Sequence, residues 1–150
     1  MIEHKEILFN ACVEFVNKRA QTVSTIISSN QKALTSETKS SAGDKHETGR
    51  AMLQLEMEKA SLQLEGVYTM ERILKQINIK DSTDVVRLGS LIITNKTNYF
   101  MAISAGKITI DNQHYYAIST SSPIGKLLLG KTTGDSFVFN NKTLVVSGIF

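Results

Sequence analysis

Phe9, Val13, Val16, Ala20, Val23, Ile27, Asn30 and Leu34 recur at alternating spacings of four and three residues. A repeat of that kind commits the chain to a helix that lays one narrow apolar seam against another helix. Leu53, Met57, Ala60, Leu64 and Val67 repeat the spacing, and the stripe then shifts to Met70, Leu74 and Ile77. One seam alone would need a partner chain. Two of similar length, joined by a short polar segment, satisfy each other as an antiparallel coiled-coil hairpin. Asn30 is the polar member, and a buried Asn in such a seam fixes register at some cost in stability. Glu14, Lys18, Arg19 and Gln21 fall off the seam and can face water. A helix from about residue 4 to 37 would be on the order of 50 Å long, more than a chain of 150 residues needs for one compact domain, so the hairpin is expected to project. The joint, Thr35 to Thr48, is rich in Ser, Thr, Lys and Gly and reads as a loop. Asp44 followed three residues later by Glu47 is a capping-box pattern for the second helix.

The composition changes near Asp81. Asp81-Ser82-Thr83-Asp84 is a break, and Val85 to Thr94 is apolar and β-branched. Tyr99 to Ser104, Lys107 to Ile110 and Tyr115 to Ser119 read as further strands, with Asp111-Asn112 a turn. Pro123 to Leu129 reads as a short helix with Pro in its first turn and Gly130 just past its end. Leu127-Leu128-Leu129 is expected to be its core face. Phe137 to Phe139 and Leu144 to Ile149 are strands joined by Asn140-Asn141, a tight hairpin turn. The fold class is α+β. Residues 1–80 form the helical hairpin, with its tip near 39–48, and residues 81–150 form a small antiparallel β domain with one short helix.

Composition narrows the function. Apolar residues make up 41% and charged residues 21%, enough for a core and unlike a disordered chain. The net charge of +3 comes with no run of four basic residues, so linear charge gives nucleic-acid binding little support. The single cysteine, Cys12, forbids an intrachain disulfide and fits a reducing compartment. It reads as packing rather than a nucleophile. The charged start, Met1 to Glu6, is unlike a signal peptide, and no run approaches the roughly 18 apolar residues of a membrane span. A soluble, cytoplasmic protein is expected, with no membrane partner. No HExxH, CxxC or dense Asp/Glu cluster suggests a stable metal site of its own. Tyr99, Phe100, Tyr115, Tyr116, Phe137 and Phe139 could line a pocket, but aromatics on strands more often pack in the core or pair across strands.

Two segments carry a family resemblance. Ser122-Pro123-Ile124-Gly125-Lys126-Leu127-Leu128-Leu129-Gly130-Lys131, with Gly134-Asp135 and the closing strand to Phe150, is similar to the C-terminal motif of the Gre family of bacterial transcript cleavage factors. Gly43-Asp44-Lys45-His46-Glu47 matches that family's tip pattern, Gly-Asp-x-x-Glu. The resemblance covers nearly the whole chain. It implies an FKBP-like β domain that docks at the rim of the RNA polymerase secondary channel, and a coiled coil that enters the channel. Asp44 and Glu47 would be the tip acids that act at the polymerase's catalytic Mg²⁺ and promote cleavage of backtracked RNA. Ser122 and Pro123 would lie on or near the docking loop. Lys45, His46 and Arg50 would sit near the nascent RNA 3′ end. The factor would be no enzyme by itself, would carry no cofactor of its own, and would be a monomer.

The chemistry is reasonable from first principles. Phosphodiester hydrolysis by two metals needs a second ion about 4 Å from the first and an oriented water. Mg²⁺ keeps several waters, so one or two carboxylates suffice to recruit it. The plainer readings stand beside this. Asp44 and Glu47 would serve only as a helix cap, His46 would be a solvated loop residue, and the cations would be solvated charges. The chain also departs from the family, whose tip continues Glu-Asn-Ala-Glu-Tyr. Here Glu47 is followed by Thr48-Gly49-Arg50-Ala51-Met52, and Gly49 weakens a helix by up to roughly 1 kcal/mol relative to Ala. Two alternatives follow. One is a Gre-like channel binder that modulates or inhibits transcription without stimulating cleavage. The other is a coiled-coil interaction protein with no polymerase role, which would self-associate through its seams.

Overall fold

The computed structural model describes the backbone of residues 1–39 and 43–150, and the side chains of residues 1–36 and 48–150. The architecture is α+β. Helices α1 (Ile2–Lys39) and α2 (Gly43–Lys75) are followed by β1 (Leu91–Thr94), β2 (Asn98–Ala102), β3 (Gly106–Ile110), β4 (Gln113–Ser119), α3 (Pro123–Leu128), β5 (Ser136–Phe139) and β6 (Lys142–Ile149). Both long helices run further than the loop-like composition of residues 35–48 suggests. Thr35 stays helical by donating its Oγ1 hydroxyl to the Gln31 carbonyl at 3.0 Å. That bond to the preceding turn occupies a hydroxyl that otherwise competes with the helix. Thr22 and Thr69 do the same to Lys18 and Glu65.

The chain forms two compact units, Val16–Met70 and Met1–Phe15 with Glu71–Phe150. In the first, the buried residues among the described side chains fall seven apart: Val16, Val23 and Asn30 on α1, Ala60 and Val67 on α2. The other seam members, Ala20, Ile27, Leu34, Leu53, Met57 and Leu64, are half-buried. A helix with a single neighbour can hide only the centre of its stripe, so the seam is thin. Asn30 is 7% exposed, and its Nδ2 has no hydrogen-bond partner among the described residues. A buried, unmet amide costs about 1–3 kcal/mol. Asn30→Leu is therefore expected to raise stability by about 1–2 kcal/mol, read in urea as a higher midpoint at unchanged slope. A lower midpoint would mean that the site is shaped to Asn and that the seam register depends on it.

In the second unit the buried face of α1 is different. Lys5, Leu8 and Cys12 are buried, while Phe9 and Val13 of the heptad are half-buried. Here α1 packs on the sheet. The His4 ring centroid lies 6.1 Å from that of Tyr115, and Lys5 Nζ donates to the Asp81 carbonyl at 2.9 Å. Cys12 is thus packing, as its sequence context suggests, and it is completely buried. Burial pushes its thiol up to about 11, so it stays protonated and unreactive at neutral pH. With Ellman's reagent at pH 8, the folded protein is expected to react only at its unfolding rate. Reaction within seconds would place Cys12 at the surface.

The six strands form one open sheet in the order β3-β4-β2-β1-β6-β5. Every pairing is antiparallel except β2 with β4. Because β3 lies outside β4, residues 103–105 carry the chain from β2 past the end of β4. Both two-residue turns have positive φ throughout: Asp111 49° and Asn112 65°, Asn140 51° and Asn141 62°. These turns match the twist of the strands they join, and short Asp and Asn side chains tolerate the left-handed region. The expected strand Val85 to Thr94 is shorter. Only Leu91–Thr94 is strand; Val85 makes an isolated bridge to Thr132, and Gly89, at φ 90°, turns the chain between them.

Alternation along the strands covers both faces. Ile92, Tyr99, Met101 and Ile118 pack with Ile124 and Leu128 of α3. Leu91, Phe100, Ala102, Tyr115 and Ala117 point the other way and are also buried, on the side that meets the first turns of α1.

Candidate docking site

The segment from Ser119 to Asp135 is built by hydrogen bonds rather than by bulk. Ser122 caps α3: its Oγ accepts from the Gly125 N–H at 3.1 Å and donates to the Ser119 carbonyl at 2.7 Å. The Ser122 N–H donates to Ser119 Oγ at 3.1 Å, and Ser119 Oγ lies 3.2 Å from Ser121 Oγ. Pro123 takes the first helical position, where a missing N–H costs nothing. Ser122 is half-buried and Pro123 exposed. Gly125 is in this motif for close approach. A Cβ there would lie 2.0 Å from the Ser119 carbonyl oxygen and 2.9 Å from Ser122 Oγ.

The far end of α3 is tied down as well. Gly130, at φ 83°, ends the helix. Its N–H donates to the Val86 carbonyl at 3.0 Å, and the Val86 N–H donates to that of Lys131 at 2.9 Å. Asp135 Oδ2 accepts from the Thr132 N–H at 2.7 Å and its hydroxyl at 3.1 Å. These donors hold the Asp135 carboxyl below its usual 3.8. Its backbone, with that of Gly134, pairs to Val146 on β6. Gly134-Asp135 therefore has a structural role of its own.

Leu127-Leu128-Leu129 is not a continuous core segment. Leu128 is fully buried, but Leu127 is 37% and Leu129 40% exposed. A helix of six residues buries one face, and 100° per residue swings both neighbours away from it. The loop thus presents Pro123, Leu127 and Leu129 as apolar surface near Lys126 and Lys131, which is what a protein-docking patch needs. Ser122 and Pro123 stand out in the sequence, whereas the crowding at Gly125 and the exposure of the two leucines do not. A Gly two residues after a helix-initiating Pro was the available signal for the first.

Asp44, Lys45, His46 and Glu47, proposed for the tip, belong to α2 by backbone, but their side chains lie outside the described residues. Arg50 is exposed and Gly49 half-buried, both on α2. Among the described residues, no three His, Cys, Asp or Glu side chains gather in a way that could hold a metal. No helix there is long and apolar enough to cross a membrane. No protein-family model matches the sequence, and no curated protein matches it.

Proposed function

We propose that this chain is a Gre-like factor of the bacterial cytoplasm. It docks on RNA polymerase through the Ser119–Pro123 loop and the adjacent leucines, and reaches into the secondary channel with its helical hairpin. The observation that carries the reading is the serine-stapled turn Ser119 to Gly125, which fixes an exposed Pro123 beside Leu127 and Leu129. The order of elements, a pair of long helices followed by a small α+β unit, is what such a factor requires.

Asp44 and Glu47 then do the chemical work at the hairpin end. Positions 44 and 47 fall in the first turn of α2, and two carboxylates are the oxygen donors that Mg²⁺ takes. The ion belongs to the polymerase and supplies charge stabilisation to the cleaved phosphate. The chain's own part is to present the two carboxylates and orient a water, with Lys45 and Arg50 near the RNA phosphates and His46 near the water. The factor acts as a monomer and has no catalysis without the polymerase.

A backtracked elongation complex, made with polymerase from the same source, tests this. Shortened transcripts are expected on adding the protein. The residues after Glu47, Thr48-Gly49-Arg50, favour a second reading, in which the channel is occupied without cleavage. That reading predicts no shortening but competition with a known channel-binding factor. Neither effect would leave the fold without a polymerase role.

A further inference from the structure

The sheet face shared with α3 is only partly covered. Tyr99, Met101 and Ile118 lie beneath α3, but further along the same face β3 and β4 are open. Cross-strand partners share a face, so Lys107 with Tyr116, and Thr109 with His114, stand side by side. All four are exposed. Thr109 Oγ1 and His114 Nδ1 are 3.0 Å apart. Tyr116 is 38% exposed, although it sits on an inner strand and pairs in register with the buried Tyr99. A shallow hollow beside it is lined by Lys96, Thr97, Asn98, Gln113, His114 and Tyr116. The acidic group of the same hairpin is Asp111, in its turn.

A lysine on an edge strand is a common guard against strand pairing, and Lys107 alone would need no more than that. It does not account for an exposed tyrosine on the neighbouring inner strand, flanked by two lysines and a histidine. An aromatic platform on an open sheet face, ringed by cations and by hydroxyl groups, is the chemistry that holds a single-stranded nucleic acid. The ring stacks a base, the lysines take phosphates, and Thr97 and Thr109 offer partners to a base edge or a 2′-hydroxyl.

We propose that this face of β3 and β4 binds single-stranded RNA, with Tyr116 as the stacking platform and Lys96 and Lys107 as phosphate contacts. No residue of this surface belongs to the docking loop or to residues 43–50, so the surface does not depend on the polymerase reading.

The test is a fluorescence-anisotropy titration of the whole chain against a fluorescein-labelled 12-nucleotide uridine oligomer, with no polymerase present. Saturable binding that weakens from 50 to 200 mM salt is expected. Lys96→Glu/Lys107→Glu should weaken it at least tenfold, and Tyr116→Ala at least fivefold, while Tyr116→Phe stays near wild type. Lys126→Glu/Lys131→Glu, on and just after α3 and not lining the hollow beside Tyr116, should also bind normally. Circular dichroism and the milder Lys96→Gln/Lys107→Gln guard against a folding artefact. Three results would each overturn the proposal: no binding by the wild type, wild-type affinity in the Lys96/Lys107 variants, or equal affinity for the same-length DNA strand or for polyglutamate.

Discussion

Gly125→Ala is expected to destabilise the protein by about 3 kcal/mol, the upper end for forcing one carbon into a packed site. For a domain of this size that corresponds to a melting temperature roughly 6–12 °C lower. The reason lies in what the new carbon would meet. Its nearest neighbour would be a backbone oxygen, that of Ser119, at 2.0 Å, and Ser119 ends β4, so the strand cannot swing aside. The same oxygen accepts the Ser122 hydroxyl, so moving it also breaks the cap on α3. Gly130→Ala is the control. Gly130 has positive φ, but nothing lies within 4 Å of its would-be Cβ, and left-handed strain alone costs roughly 1–2 kcal/mol. Urea melts of both variants separate crowding from strain. Equal losses would mean that the turn is looser than described and that Gly125 serves only as a flexible joint.

The second large effect is functional and leaves the fold alone. Asp44→Asn/Glu47→Gln removes two charges and keeps the shapes. At least a hundredfold loss of stimulated RNA cleavage is expected, on the scale of removing a group that positions charge in a transition state. Polymerase binding should stay within about threefold, because the proposed docking groups are Pro123, Leu127 and Leu129. The converse variant, Leu127→Ser/Leu129→Ser, should weaken binding and leave the melting temperature nearly unchanged, since both side chains are exposed. Unchanged cleavage by the acid variant would remove Asp44 and Glu47 from the mechanism. Unchanged binding by the leucine variant would remove the docking patch.

Much of the fold is legible in the sequence because the signals are local and periodic. The seven-residue spacing announces α1 and α2, and the adjacent Asp-Asn and Asn-Asn pairs announce the two-residue turns. What is hidden depends on who covers a surface. Phe9 and Val13 satisfy the heptad, yet Leu8 and Cys12 are the fully buried pair, because the sheet adds a second neighbour that no helical period can encode. Leu127 and Leu129 look like core in a one-dimensional reading, and only the brevity of α3 exposes them. The face formed by Lys107, His114, Tyr116 and Lys96 gathers four residues from three segments, so no basic run marks it. For the candidate site, the Ser-Pro motif was visible from residue types, but the contact that makes Gly125 indispensable joins the end of a strand to the start of a helix.

The placement of the first turns of α1 bears on how the chain can be made. Lys5 waits for Asp81, and the buried Leu8 and Cys12 wait for the sheet. At a ribosome adding roughly 5–20 residues per second, the leading segment has no permanent seat for several seconds after it emerges. Until then Leu8 and Cys12 have no covering strand, whereas Leu91, Phe100 and Tyr115, made later, emerge when their cover is already out. The two long helices can find each other early, whereas the sheet unit closes only when both distant stretches of chain are out. Fragments cut near residue 80 would therefore separate a surface from its lid, and the later half alone would leave Leu91, Phe100 and Tyr115 open to other proteins.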